Sequence, residues 1–431
     1  MVSVLGPYLA RLAQAGEVVF DADRGLSGGD FLAQMERQQH LLMSACVTQQ
    51  DILALQVGKS LSDWKALLAA INLGIPVVVH QAKQRLPDWV SVRFDVAAER
   101  LTRLRPAHAH CLPEPMLATF SSGSTGQPKA IWHRVQNFIE SANACNQLLP
   151  LSVSDRSLVS LPLHHVGGLG TVFRALTAAS QLVFSGPADS LEALKVQGIS
   201  RLSLVPTQLY RLLEQGVAPG QLAVLLGGAP IPESLLQRAR KQGWRIHRSY
   251  GLSEMASQVI TETADDYWQL LPHAEVTVVG GELYVNGISL FTGYGDPFQL
   301  RRPLTTRGFA TGDLASWQGN RFLFTGRKDN TFISGGENVQ PEAIEQRFID
   351  EFKFSQCVVV GRHDDEWGQR CVLCIPATSK VSCQTLSLFA QQLMPHERPV
   401  QYYLLPQTGQ LKVSRPLITE MVTRNDLEEV S

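Results

Sequence analysis

Short apolar runs, each followed by a loop and then a helical stretch, constrain this chain more than any other feature. Residues 76–79, 158–161 and 203–205 read as short buried strands. A helix opens at Pro206, after the third. Residues 223–226 form another strand, running into Gly227 and Gly228. Pro232 then starts a helix through Lys241, with proline early, where its missing N–H leaves no bond unmade. Repeated strand–loop–helix units predict an α/β architecture with a largely parallel sheet. In such sheets ligands gather at the loops beyond the carboxyl ends of the strands.

The pattern changes after about residue 262. Residues 275–279 and 282–285 flank Gly280 and Gly281 and read as a β-hairpin. Residues 309–324 continue as short strands and turns, an antiparallel sheet or a small barrel. From Asn330 the units change again: a Gly-rich loop, a helix from Pro341, strands over 357–360 and 371–375, and a helix from Cys383. With 431 residues the chain exceeds the roughly 250–300 at which single cores stop growing. The expected fold is α/β. A large N-terminal domain, residues 1–328, holds layered α/β subdomains and a small β-barrel. A small α+β domain, residues 329–431, follows a polar boundary near Arg327.

Composition excludes several classes. Acidic residues number 39 and basic ones 38, a net charge of −1, so no basic excess points to nucleic acid. The apolar run 66–79 is broken by Asn72, Gly74 and Pro76 and is shorter than the ~20 residues a spanning helix needs, so no membrane insertion is expected. The N-terminus lacks a basic start followed by an apolar core, so no signal peptide is expected. Seven scattered cysteines favour reduced thiols and a cytoplasmic setting. Cys371 and Cys374 form an isolated C-x-x-C, which fits strand packing better than zinc.

Five segments carry chemistry. Ser121, Ser122, Gly123, Ser124, Thr125, Gly126 and Lys129 combine backbone N–H groups freed by tight turns, hydroxyls and one cation, as a polyphosphate requires. A flexible Ser/Gly linker is the alternative, and the apolar flanks weaken it. In the segment 249–254, Gly251 suggests a tight turn, and Glu254 is placed to hold Mg²⁺ or a substrate hydroxyl. In 311–313, Asp313 suits a ribose diol, with an ordinary turn aspartate as the alternative. Residues 326–342 combine charge with Gly335 and Gly336 at the domain boundary. Lys412 stands alone near the C-terminus, where a surface lysine is the default.

In this order and spacing the segments resemble the AMP-forming acyl-CoA synthetase superfamily, from about Leu117 to Arg415. The resemblance implies a large domain, a small mobile one, and a two-step reaction with ATP and Mg²⁺. A carboxylate is adenylated, and the thiol of coenzyme A then displaces AMP. It also implies roles. The loop 121–129 holds phosphates. Gly227, Gly228 and Ala229 form the adenine-side strand end, and Tyr250 stacks near the adenine. Ser253 and Glu254 serve phosphate and metal, and Asp313 with Arg327 holds the ribose. Lys412 bridges the α-phosphate and the attacking carboxylate. His165 gates the acid from the nucleotide. Asp329 is the hinge, and the loop Gly335, Gly336, Glu337 replaces Lys412 when the small domain turns. Leu411 departs from the glycine usual before that lysine, and Phe120 and Ser121 depart from the more usual Tyr-Thr.

Residues 203–209, 225–232 and 250–257, with the short total length, look like the 2-succinylbenzoate–CoA ligase branch of menaquinone biosynthesis. That branch implies an aromatic acid with a second carboxylate, for which His164, Gln208, Arg211 and Arg174 are candidate partners. Rival readings are a CoA ligase for another aryl or short-chain acid and a non-catalytic nucleotide-binding relative. Self-association into a homo-oligomer stays open.

Overall fold

The structure is a computed structural model that describes residues 3–21, 24–82, 84–121, 129–184, 198–263, 267–406 and 414–430. The chain divides into two compact units. The first comprises Met1–Pro230, Ala239–Val276 and Val285–Phe309, and the second Ile231–Arg238, Thr277–Tyr284 and Ala310–Ser431.

The first unit carries two sheets with parallel centres and antiparallel edges. The larger has nine strands. Its centre runs from Arg245–Leu252 through Ala223–Leu226, Arg201–Leu204, Arg156–Leu158 and Gln181–Phe184 to Glu17–Asp21, every neighbouring pair parallel. The second has seven strands, with Met116–Ser121, Val77–His80, Leu53–Gln56 and Val92–Asp95 parallel at its centre. Strands buried on both faces can be apolar throughout, which is why 77–79 and 223–226 stood out in the sequence.

Helices Leu61–Asn72, Val135–Leu148 and Val166–Ala178 contribute to the main core of this unit. The first is fixed at its start by a reciprocal cap, in which Ser60 accepts from the Asp63 N–H and Asp63 accepts from the Ser60 N–H. Phe173 lies at the centre of the packing. Its ring stacks on Phe138 at 5.3 Å and meets Trp64 edge-on at 5.7 Å, all three buried.

Two expected boundaries shift. The strand read at 158–161 is Arg156–Leu158, because the Ser160 N–H turns back onto the Leu158 carbonyl and ends the ladder. Helix Glu233–Lys241 begins one residue after Pro232, whose carbonyl accepts from Leu236 at 3.1 Å, so the proline precedes the first turn.

In the second unit, Gly280 and Gly281 join two neighbouring strands with φ of +57° and +83°, the left-handed pair that a two-residue hairpin turn requires. Strand Arg321–Arg327 pairs antiparallel with residues 313–318. A three-stranded sheet, Val358–Asp364, Gly368–Pro376 and Gln401–Leu405, carries a core on each face. Cys371 belongs to one core and Cys374 to the other, because residues three apart on a strand point to opposite sides. Burial pushes both thiols up to about 12. The pair therefore packs as apolar side chains and does not converge on a metal. All seven cysteines are free thiols.

Replacing Phe173 with alanine should cost about 3–5 kcal/mol, since the ring is fully buried between two others. Urea unfolding would measure this, and a loss below about 1 kcal/mol would contradict the packing described.

Candidate active site

Backbone register builds one half of the site. Leu204, Leu226 and Arg248 are level across three parallel strands; the chain leaves the sheet at Val205 and Gly227, while the third strand runs on to Leu252, paired on its other side with Ser257–Glu262. A Cβ on Gly227 would lie 2.5 Å from Ser249 Oγ and 2.9 Å from its carbonyl oxygen, so only glycine fits there. Gly228 has φ of +80°, which favours glycine again. Ala229 follows, half-buried. The strand end thus exposes backbone groups without side chains in the way.

Tyr250 is half-buried in strand Arg245–Leu252. Gly251 does not make the expected turn. It sits within the strand at a register shift, where a Cβ would lie 2.1 Å from the Ser257 carbonyl oxygen. The turn comes next, as the short 3-10 helix Ser253–Met255. Its position is fixed from two sides. His133 Nε2 bonds the Ser253 carbonyl at 2.8 Å, and the Phe291 N–H donates to the Glu254 carbonyl at 2.7 Å. The Glu254 carboxylate accepts from the Tyr294 hydroxyl at 2.6 Å. Tyr294 and His133 are functional neighbours that sequence reading missed, because they lie 40 and 120 residues from their partners.

His133 is fully buried, and burial lowers its imidazole to about 4. The neutral ring donates from Nε2, leaving Nδ1 without a hydrogen-bond partner. A second proton would have nowhere to point.

Lys129 opens strand Lys129–Arg134, and Ser121 closes the strand paired with it, so the ends of the expected phosphate loop are level. Ser122, Gly123, Ser124, Thr125 and Gly126 lie outside the described residues, as do Leu411 and Lys412.

His165 is exposed at the start of helix Val166–Ala178, its ring 4.3 Å from that of His164. Of the four candidates for a second carboxylate, two have local duties. His164 Nδ1 bonds the Val57 carbonyl at 3.2 Å, and buried Gln208 accepts from the Val205 N–H at 3.1 Å to start its own helix. Arg211 is exposed on that helix. Arg174 is part-buried and lines a cavity of about 130 Å³ together with Ser203, Arg201, Arg245 and His247.

The remaining site residues lie in the second unit. Asp313 is not in a turn, as read, but inside strand Gly308–Gln318, where it is buried. It accepts from Arg327 Nη1 at 2.8 Å, and Arg327 Nη2 reaches Asp329 at 3.2 Å. Burial opposes the Arg327 charge, but the two carboxylates outweigh it and hold the guanidinium above its usual pKa. Gly335 and Gly336 turn between strands Phe332–Ser334 and Glu337–Val339 with φ of +60° and +85°. A Cβ on Gly335 would enter the Trp367 ring at 2.6 Å. Glu337 is exposed.

This arrangement is that of an enzyme that binds a nucleotide at parallel strand ends, and the family model "AMP-binding enzyme" matches residues 100–294. The 2-succinylbenzoate–CoA ligase of Haemophilus influenzae is 36% identical over 328 residues, covering 72% of each chain. A variant of Escherichia coli MenE with bound OSB-AMS has TM-score 0.84 and 28% identity, covering 97% of this chain and 98% of that one. MenE from Bacillus subtilis in complex with ATP and magnesium shares the fold, with TM-score 0.81 and 22% identity over 95% of this chain and 98% of that one. The chain belongs to the 2-succinylbenzoate–CoA ligase family of AMP-binding enzymes.

His133 should stay neutral from pH 8 down to near 4, because burial disfavours its charged form. A folded pKa below the unfolded ~6.5 means that its contribution to stability is complete above pH 6.5 and is lost as pH falls toward 4. Histidine ¹⁵N NMR would follow the ring directly. A midpoint near 6.5 would contradict the burial described.

Proposed function

We propose that this chain is an ATP-dependent ligase that joins 2-succinylbenzoate to coenzyme A in menaquinone biosynthesis. An oxygen of the succinyl carboxylate attacks the α-phosphorus of ATP, and the bond to pyrophosphate breaks. The thiol of coenzyme A, giving up its proton, then attacks the acyl carbonyl, and AMP leaves with the bridging oxygen. The products are 2-succinylbenzoyl-CoA, AMP and pyrophosphate.

One observation carries this reading. Gly227 follows the carboxyl end of strand Ala223–Leu226, and the adjacent parallel strand runs past it to Leu252 and the turn that holds Glu254, the end of an α/β sheet at which ligands bind. The unsubstituted backbone at Gly227 and Gly228 lets a flat base approach closely, with Ala229 and Tyr250 along its faces. Glu254, oriented by Tyr294, offers a hard oxygen to Mg²⁺, which binds through one or two carboxylates plus substrate phosphates. The metal when bound neutralises phosphate charge. Ser253 and the loop from Ser121 to Lys129 hold the phosphates. Asp313, oriented by Arg327, accepts from the ribose hydroxyls.

Lys412 stabilises the charge that develops at the α-phosphate in the first step. The loop at Gly335, Gly336 and Glu337 serves the second step, with Asp329 as the hinge and His165 as the gate. The division of labour falls between residues 1–328 and 329–431. Arg174 is the group assigned to the ring carboxylate of the acid, because His164 and Gln208 are engaged locally and Arg211 is exposed. No described helix is long and apolar enough to cross a membrane.

Pyrophosphate release with ATP and Mg²⁺ across a panel of acids tests the substrate. Turnover of 2-succinylbenzoate should exceed that of benzoate and short aliphatic acids at least ~100-fold, the discrimination available when a buried polar group would be left unpaired. Equal turnover would point to another acid. Lys412→Ala should slow adenylation by about 10²–10³ while leaving premade acyl-adenylate usable with coenzyme A. Equal loss of both half-reactions would remove the role given to this lysine.

A further inference from the structure

Glu254 sits in a turn that does not hold itself. The 3-10 helix Ser253–Met255 is a single short turn, and the two residues after it, Ala256 and Ser257, have φ of +53° and +119°. Residues other than glycine rarely adopt that backbone, so bonds from outside must keep the turn in place.

Three consecutive carbonyls receive such bonds. The Ser253 carbonyl accepts from His133 Nε2 at 2.8 Å and the Glu254 carbonyl from the Phe291 N–H at 2.7 Å. The Met255 carbonyl accepts from the buried Ser289 hydroxyl at 3.2 Å. The first two carbonyls belong to the peptide planes on either side of the Glu254 Cα. Fixing both planes fixes the φ and ψ of Glu254, and with them the direction in which its side chain leaves the backbone. The Tyr294 hydroxyl then holds the carboxylate itself at 2.6 Å.

His133 and Tyr294 share one support. His133 lies on strand Lys129–Arg134, and Gly293 and Tyr294 pair antiparallel with Trp132 and Ile131 of that strand. The Thr292 N–H extends the pairing to the Trp132 carbonyl at 2.7 Å. His133 is wholly buried, its ring 5.0 Å from that of Phe138. A carbonyl can only accept, so Nε2 carries the proton. Lys129, at the end of the expected phosphate loop, opens the same strand. One strand therefore carries both the end of that loop and the donor that fixes the turn.

We propose that His133 is a positioning residue for the metal-binding carboxylate, whose Nε2–H sets the peptide plane before Glu254 and ties it to the strand that Lys129 opens. Phenylalanine would keep the ring and lose the donor. Glutamine would lose the ring and keep a donor near the Nε2 position. This inference rests on the reading of Glu254 as the Mg²⁺ carboxylate.

Titration calorimetry of ATP with the whole chain, once with excess Mg²⁺ and once in EDTA, tests it without turnover. His133→Phe should weaken ATP binding with Mg²⁺ about 10-fold, the scale of one lost hydrogen bond, and binding in EDTA less than about 2-fold. His133→Gln should restore binding with Mg²⁺ to within about 3-fold of wild type. In a Glu254→Gln background, His133→Phe should add no further loss, because the two residues act as one unit. A purely structural role would weaken ATP equally with Mg²⁺ and in EDTA, would gain nothing from glutamine and would add to Glu254→Gln. Any of those results would overturn the proposal. If the phenylalanine variant does not fold, His133→Asn, whose amide stops at the Nδ1 position, decides by the same comparison. A wild-type chain that binds ATP equally well with Mg²⁺ and in EDTA would remove the metal role of Glu254, and the positioning with it.

Discussion

The parallel pairing of three strands stops level at Leu204, Leu226 and Arg248, and the candidate nucleotide site depends on that constraint. Parallel pairing forces crossovers, and the crossovers put helices on the faces of the sheet and loops at its carboxyl end. Gly227 faces Ser249 so closely that no side chain fits between them. Five residues beyond Ser249, Glu254 is held through its carbonyl by Phe291 and through its carboxylate by Tyr294. Each functional group is therefore placed by backbone geometry first and by a side-chain partner second.

Charge follows a comparable logic. Most buried ions in the chain are paired internally, as with Arg415 and Glu345, and such pairs serve the fold. Asp313 and Arg327 are paired as well, and the pairing fixes the orientation of the buried carboxylate. Arg174 donates to neutral acceptors, in a cavity lined by no Asp or Glu.

Much of the framework can be read from local sequence. Helix Pro206–Glu214 and strand Ala223–Leu226 are marked by proline, glycine and an unbroken apolar run. The hairpin turn at Gly280 and Gly281 is equally plain, because few other residues accept that backbone. Errors arose where tertiary bonds decide. The strand at Arg156–Leu158 stops early for a carbonyl contact, and Gly251 looked like a turn but serves a close strand crossing. Asp313 looked like a turn residue but lies inside a strand. The partners of functional groups were least legible. Tyr294 for Glu254, His133 for Ser253 and Gln258 for Arg174 lie 40, 120 and 84 residues away, and no local pattern marks them.

The central claim is that an oxygen of the succinyl carboxylate becomes bonded to the α-phosphorus of ATP. Labelling that carboxylate with ¹⁸O and analysing the AMP by mass spectrometry after complete turnover with coenzyme A tests it most directly. Adenylation through that oxygen places one ¹⁸O atom in each AMP and none in pyrophosphate. Unlabelled AMP would show that the acid never passed through an adenylate, and it would contradict the account.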